Sequence, residues 1–152
     1  MKKTLFVLTA LALPMVAQAE TLPSTVPEAT VKAAIHDFVD PWCQTGFKGM
    51  VENVQKCFKE TSENSPNIDK CVIGHYMLSF TTKDLKNYSQ KNEQEDPTKN
   101  IPFVGPQATH DRGVHYTNIA RYKNIDVSNY FIPAVDSTYE KLIENRKKCS
   151  KD

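Results

Sequence analysis

Two histidines, an aspartate and an arginine lie within six residues of one another in the run His110-Asp111-Arg112 with His115 close behind. A histidine beside an aspartate is a pair that hydrolases use to activate water, because imidazole exchanges a proton near neutral pH. The run therefore suggests a hydrolase site. The five-residue separation of His110 and His115 misses the i, i+4 spacing of paired helical metal ligands. The alternative is a polar loop that leads into a helix, and we predict no metal site and no cofactor.

The same residues support one family resemblance. His110-Asp111, followed by Gly113 and Tyr116, resembles the His-Asp motif of secreted phospholipases A2 over about ten residues. The resemblance implies that His110 activates a water molecule and that Asp111 helps to hold calcium. The sequence departs from the motif in two places, since no cysteine directly precedes His110 and no Asp-Gly calcium loop lies upstream.

A second histidine, His75, lies on the apolar face of a predicted helix, one turn beyond Cys71. It could serve as a general base or a ligand. The sequence favours the simpler interpretation, a buried histidine that forms a hydrogen bond with a neighbour.

Aromatic residues are concentrated between Tyr116 and Tyr130. Tyrosine is enriched in protein interfaces, but a small domain also needs aromatic bulk in its core. Both interpretations stay open, and the core is favoured. If this part of the chain forms an interface, the candidate residues are Phe103, Val104, His110, Tyr116 and Tyr122.

The four cysteines have the spacing of disulfides rather than of a metal site. The chain has no C-x-x-C pair, which argues against zinc and against a thioredoxin-like redox role. An even number of cysteines behind a secretion signal is typical of a disulfide-bonded protein. We therefore expect two disulfides among Cys43, Cys57, Cys71 and Cys149.

The apolar pattern decides which cysteines pair. Cys57 lies on a helical stripe, and Cys71 lies on the apolar face of the next helix, which Ser65-Pro66 opens. The short loop between these helices makes them an antiparallel hairpin. In a continuous helix Cys43 and Cys57 would be about 21 Å apart, whereas a disulfide needs Cα atoms within about 7 Å. The predicted disulfides are therefore Cys57–Cys71 and Cys43–Cys149.

The remaining helices are predicted from proline positions and apolar spacing. One helix begins at Pro27 and stops before Pro41, and another begins at Pro133 and ends at Cys149. The second hairpin helix is predicted to break near Ser79-Phe80, and residues 89–111 to form a long polar loop. Together these elements predict an all-α fold, a single disulfide-stapled domain over residues 20–152 with four to six helices around the hairpin.

Residues 1–19 read as a signal peptide. Lys2 and Lys3 precede an apolar run that is too short to span a bilayer, and Ala17-Gln18-Ala19 fits a cleavage site. We expect cleavage after Ala19, a location in the bacterial periplasm or outside the cell, and no stable membrane anchor.

The charge balance excludes one class of function. Without residues 1–19 the chain has 17 basic and 18 acidic side chains, whereas a nucleic-acid binder needs a basic surplus. In size and compartment the chain is similar to inhibitors and immunity proteins of the bacterial envelope. We expect a non-enzymatic protein that binds another protein, with the 89–111 loop as its binding element. The alternatives are a secreted hydrolase that uses His110 and Asp111, or an envelope structural or ligand-carrying protein.

Overall fold

The computed structural model describes residues 22–150, and the regular structure in this range is helical throughout. The predicted all-α class is confirmed. The predicted signal peptide, residues 1–19, lies outside the described residues. No helix in the described range has the length and apolar character that crossing a bilayer requires. The five α-helices are α1 (Glu28–Ala34), α2 (Trp42–Glu60), α3 (Ile68–Lys91), α4 (Pro106–Thr117) and α5 (Val127–Cys149).

Three shorter turns complete the helical structure. A π-helical turn over Ile35–Val39 continues α1 up to the stop at Pro41, and 3-10 turns cover Pro102–Val104 and Ala120–Tyr122. Because proline has no amide hydrogen and restricts the residue before it, Pro41 ends the first helical segment as predicted.

Helix α3 is the centre of the molecule and contacts all four other α-helices. The closest approach is at Gly74, where an added methyl group would lie 2.8 Å from the Phe38 ring and 2.8 Å from Cγ2 of Val54. Any larger residue at this position would force these neighbours apart. Gly74 therefore allows the first two helical segments to pack directly on α3.

Two disulfides fix this packing, and their pairing is the one that the sequence predicts. Cys57 and Cys71 join the end of α2 to the start of α3, with Cα atoms 5.5 Å apart. Cys43 and Cys149 join the start of α2 to the end of α5, with Cα atoms 5.3 Å apart. Cys43 is exposed and Cys149 is half-buried, so this second disulfide lies at the surface rather than in the core. Gly46, with φ of +60°, kinks α2 shortly after Cys43.

The predicted break in α3 near Ser79-Phe80 is wrong, and the helix continues to Lys91. Threonine often caps the start of a new helix, but the Thr81 hydroxyl donates to the carbonyl oxygen of Met77 at 2.7 Å. The polar side chain is therefore satisfied inside the helix, which is the alternative to capping that threonine has.

The predicted start of the last helix is also wrong, since α5 begins at Val127 rather than at Pro133. The true start is marked by Asp126, whose side chain accepts a hydrogen bond from the Asn129 amide at 3.1 Å. Pro133 lies inside the helix and cannot donate to the Asn129 carbonyl. Both residues are exposed, so water can satisfy that carbonyl.

The predicted 89–111 loop is shorter than expected. Helix α3 occupies its beginning as far as Lys91, and α4 occupies its end from Pro106. Pro106 is compatible with this helix, because at the first position of a helix the missing amide hydrogen of proline costs nothing. As a consequence His110 and Asp111 lie on a helix.

Candidate functional site

The structure places His110 and Asp111, the two residues of the hydrolase hypothesis, on the surface of α4. Both are exposed on α4, where adjacent residues point about 100° apart around the helix axis. The Asp111 carboxylate accepts a hydrogen bond from Nε2 of Gln107 at 2.7 Å. Within residues 22–150 no hydrogen bond joins His110 to Asp111. This contact pattern is that of a solvated helix surface.

For two of the five candidate interface residues the prediction is wrong, because these two residues belong to the core. Val104 is 3% exposed and Tyr122 is 2% exposed, so neither can contact a partner. Phe103 and Tyr116 are half-buried. The Phe103 ring lies beneath a guanidinium group, and Tyr116 stacks on Phe58 with ring centroids 4.3 Å apart. His110 alone of the five is exposed.

His75 is buried and hydrogen-bonded, as the simpler interpretation predicted. Its Nδ1 accepts a hydrogen bond from Nε of Arg112 at 3.1 Å. The same guanidinium donates through Nη1 to the Phe103 carbonyl at 3.0 Å and lies 3.9 Å from the centroid of the Phe103 ring. Gly113 packs close to the other ring nitrogen, since a methyl group there would be 3.2 Å from Nε2. His75 thus joins α3 to α4.

The protonation state of His75 follows from this contact. Arginine only donates hydrogen bonds, so Nδ1 must carry a lone pair and the imidazole is neutral. Burial, and then the positive charge of Arg112, lower the pKa of His75 to about 4. A proton on Nδ1 would remove the acceptor and place two positive charges in contact.

We therefore expect stability to fall in mild acid. His75 in the unfolded chain takes up a proton near pH 6.5, whereas the folded protein resists it until about pH 4. The contribution of neutral His75 to the free energy of unfolding is fully present above about pH 6.5 and is lost as the pH falls. At pH 4 about 3 kcal/mol of it is lost. Urea unfolding at pH 7, 5.5 and 4 measures it. His75→Asn, whose oxygen can accept from Arg112 without titrating, should be less stable than wild type at pH 7 but lose less on acidification. If wild type and His75→Asn lost the same stability between pH 7 and pH 4, His75 would not be the cause of the acid sensitivity.

A buried hydrogen-bond cluster around Asp69, which the sequence did not reveal, connects α3 to the C-terminal part of the chain. Asp69 is 1% exposed and accepts four hydrogen bonds. Nε and Nη2 of Arg121 donate to its two oxygens at 3.0 and 3.1 Å, and the hydroxyls of Tyr122 and Tyr130 donate at 2.7 Å each. Burial, together with the Asp69 charge, raises the pKa of both tyrosines, so both remain protonated donors. The arrangement has no free coordination site and is structural.

The surface feature that stands out is an apolar groove between α3 and α5, here called the α3–α5 groove. Phe80, 42% exposed, and Ile132, 52% exposed, both line it. Tyr139 packs edge-on against Phe80 with centroids 5.7 Å apart, which holds the Phe80 ring in place. The groove has a volume of about 120 Å³ and is lined by Tyr76, Phe80, Ser128, Phe131, Ile132, Val135 and Asp136.

Sequence reasoning missed this groove because it placed a helix break at Phe80 and a helix start at Pro133. Once α5 begins at Val127, Ile132 and Asp136 are four residues apart and share one face. The signal available in the sequence for this groove was Ile132, an isoleucine on the exposed face of α5. In the described part of the chain Asp136 has no ion-pair partner, so one negative charge borders the apolar surface.

A metal centre is not among the candidates that the described residues offer. Within residues 22–150 no group of three or more histidine, cysteine, aspartate or glutamate side chains is arranged to hold an ion. No family model, curated protein or solved structure matches this chain. Its function must therefore be inferred from its own surfaces.

Proposed function

We propose that this protein acts outside the cytoplasm by binding another protein through the α3–α5 groove. The observation that carries the proposal is the meeting of exposed apolar side chains at one place. Of the four large hydrophobic side chains exposed on the described surface, two, Phe80 and Ile132, line the same groove. Exposed apolar area is costly in water, and its concentration in a patch is typical of interaction sites.

The groove indicates the chemistry of the partner. A volume of about 120 Å³ is well below the roughly 300–1,000 Å³ of small-molecule pockets, so it suits a single inserted side chain. Its walls are mainly aromatic and aliphatic, and Asp136 is the charged residue among those that line it. The complementary segment would present one apolar anchor residue next to a lysine or arginine that pairs with Asp136.

The scaffold is consistent with this role. Disulfides persist in oxidising environments, and two are present here, which fits a secreted or extracytoplasmic protein. We place the protein in the periplasm on the basis of the predicted signal peptide. The disulfides tie both α3 and α5 to α2, so the groove between them loses little conformational entropy on binding, which favours affinity. An inhibitor or immunity-like protein of the cell envelope is the class that combines these properties.

The two alternatives have weaker support. The hydrolase hypothesis requires His110 and Asp111 to act together, and in the described part of the chain no hydrogen bond joins their side chains. The ligand-carrier hypothesis requires a sizeable apolar cavity between helices, and the apolar α3–α5 groove has room for a side chain only.

We expect Ile132→Asp to weaken partner binding strongly. The substitution places a second carboxylate beside Asp136 in the groove and removes an exposed anchor contact, so the loss should be at least 2 kcal/mol, or about thirtyfold in affinity. The partner is first identified by pull-down from periplasmic extract with the wild-type protein and is then titrated in purified form. Val114→Asp is the matched control, because Val114 is 51% exposed but lies on α4, away from the groove. Equal affinity for all three proteins would refute the proposal.

A further inference from the structure

The α3–α5 groove is one end of a longer surface that runs along α5. On this face of α5, exposed or half-buried residues recur at intervals of four, three, four and three positions. We call this set the α5 stripe, which consists of Ile132, Asp136, Tyr139, Ile143 and Arg146. The buried residues of α5 form a separate, core-facing set: Tyr130, Phe131, Ala134, Val135, Thr138 and Leu142. Intervals of four and three positions are those at which one helix packs lengthwise along another, so the α5 stripe has the pattern of a helix-binding face.

Tyr139, in the middle of the α5 stripe, connects the groove to a second depression. Its ring packs edge-on against Phe80, which lines the groove, and its hydroxyl donates to the carboxylate of Asp84. Asp84 borders the second depression, whose other lining residues are Trp42, Ile143, Arg146, Lys147, Cys149 and Ser150. The two depressions therefore follow one another along the same two helices.

The two ends of this surface carry opposite charges. Asp136 lies at the groove end, and Lys147 lies at the other end. Among residues 22–150 neither side chain has an ion-pair partner. Arg146 adds to the basic end, where it is 3.7 Å from the Asp84 carboxylate and 5.6 Å from the centroid of the Trp42 ring. Asp136 and Lys147 are eleven positions apart on α5, which is about three helical turns or 16 Å.

We propose that the α5 stripe binds an amphipathic helix of the partner protein, which lies along α5. This inference rests on the proposed function, because the helix would place its apolar anchor residue in the α3–α5 groove. Amphipathic helices commonly dock in this way, with their apolar face in a groove. The charges define the partner further. It would carry a lysine or arginine opposite Asp136 and, about eleven residues away on the same face, an aspartate or glutamate opposite Lys147.

Photo-cross-linking from both ends of the α5 stripe tests this proposal. A photoreactive amino acid replaces Ile132 in one variant and Lys147 in another, and mass spectrometry locates the attachment points on the captured protein. We expect both variants to capture the same protein. Because a helix lying alongside α5 has the same rise per residue, the two attachment points should be about 15 residues apart in one segment of the partner.

A charge reversal tests the basic end separately. Lys147→Glu places a like charge opposite the acidic residue of the partner helix, so it should weaken binding about five- to tenfold at low ionic strength and less at high salt. Lys59→Glu is the matched control, since Lys59 is also an exposed lysine in the last turn of a helix but lies at the far end of α2. It should bind as wild type does. Equal weakening in both variants would overturn the proposal, because the effect would then be one of net charge.

The cross-linking results separate this proposal from the proposed function. An adduct from position 132 without one from position 147 would leave the groove as a binding site but overturn the helix. Attachment points in widely separated segments of the partner, or an adduct between two copies of this chain, would also overturn it. The absence of an adduct from both positions would refute the proposed function as well.

Discussion

Replacing Asp69 with asparagine should lower the free energy of unfolding by about 3–5 kcal/mol, the range for removing one partner of a buried ion pair. Each oxygen of Asp69 accepts one hydrogen bond from Arg121 and one from a tyrosine hydroxyl. Asparagine has the same shape but must turn its NH₂ group toward one of these pairs of donors. The Arg121 side chain, 14% exposed, would also keep an uncompensated charge.

Urea unfolding at pH 7 measures this loss, and two variants calibrate it. Tyr130→Phe removes a single hydrogen bond to a charged group and should cost about 1.5–3 kcal/mol. Asp40→Asn changes an exposed aspartate without an ion pair in the described structure and should stay within about 0.5 kcal/mol of wild type. If Asp69→Asn were as mild as Asp40→Asn, the cluster would not stabilise the fold.

Removing the Cys43–Cys149 disulfide should cost about 2–5 kcal/mol, and more than removing Cys57–Cys71. The reason is loop length, because the first disulfide closes a separation of 106 residues and the second closes one of 14. The chain-entropy model gives about 4.7 and 3 kcal/mol for such loops as upper values. Thermal and urea unfolding of Cys43→Ser/Cys149→Ser and of Cys57→Ser/Cys71→Ser provide the comparison.

The different exposure of the two disulfides also predicts which of them is reduced first. Cys43 is exposed, whereas Cys57 and Cys71 are buried, so a mild reductant should open Cys43–Cys149 first. Peptide mapping of the unreduced protein checks the pairing itself. A peptide joining Cys43 to Cys57 would contradict the helix arrangement described above.

The sequence predicted the parts of the fold that a local pattern encodes. The stripe that carries Cys57 and the proline-opened helix that carries Cys71 specify the hairpin, and disulfide geometry then leaves one pairing. Helix boundaries were harder to predict, because the same residue type can lie at the start of a helix or inside it. Pro106 opens a helix, Pro133 lies within one, and Thr81 bonds within its helix rather than capping the next.

Long-range features could not be read from the sequence. Asp69 meets Arg121, Tyr122 and Tyr130 across more than 50 positions, and no local spacing announces such a contact. The α3–α5 groove likewise exists only because two helices bring Phe80 and Ile132 to the same surface. His110 and Asp111 illustrate the converse, since neighbours in sequence diverge around a helix.

Site-specific photo-cross-linking from residue 132 in living cells tests the groove most directly. A photoreactive amino acid replaces Ile132 in one variant and Val114 in another, so that two sites of similar exposure are compared. We predict a discrete covalent adduct with one envelope protein from position 132 and none from position 114. An adduct from position 114 alone, or no adduct from position 132 in cells that contain the partner, would contradict binding through the α3–α5 groove.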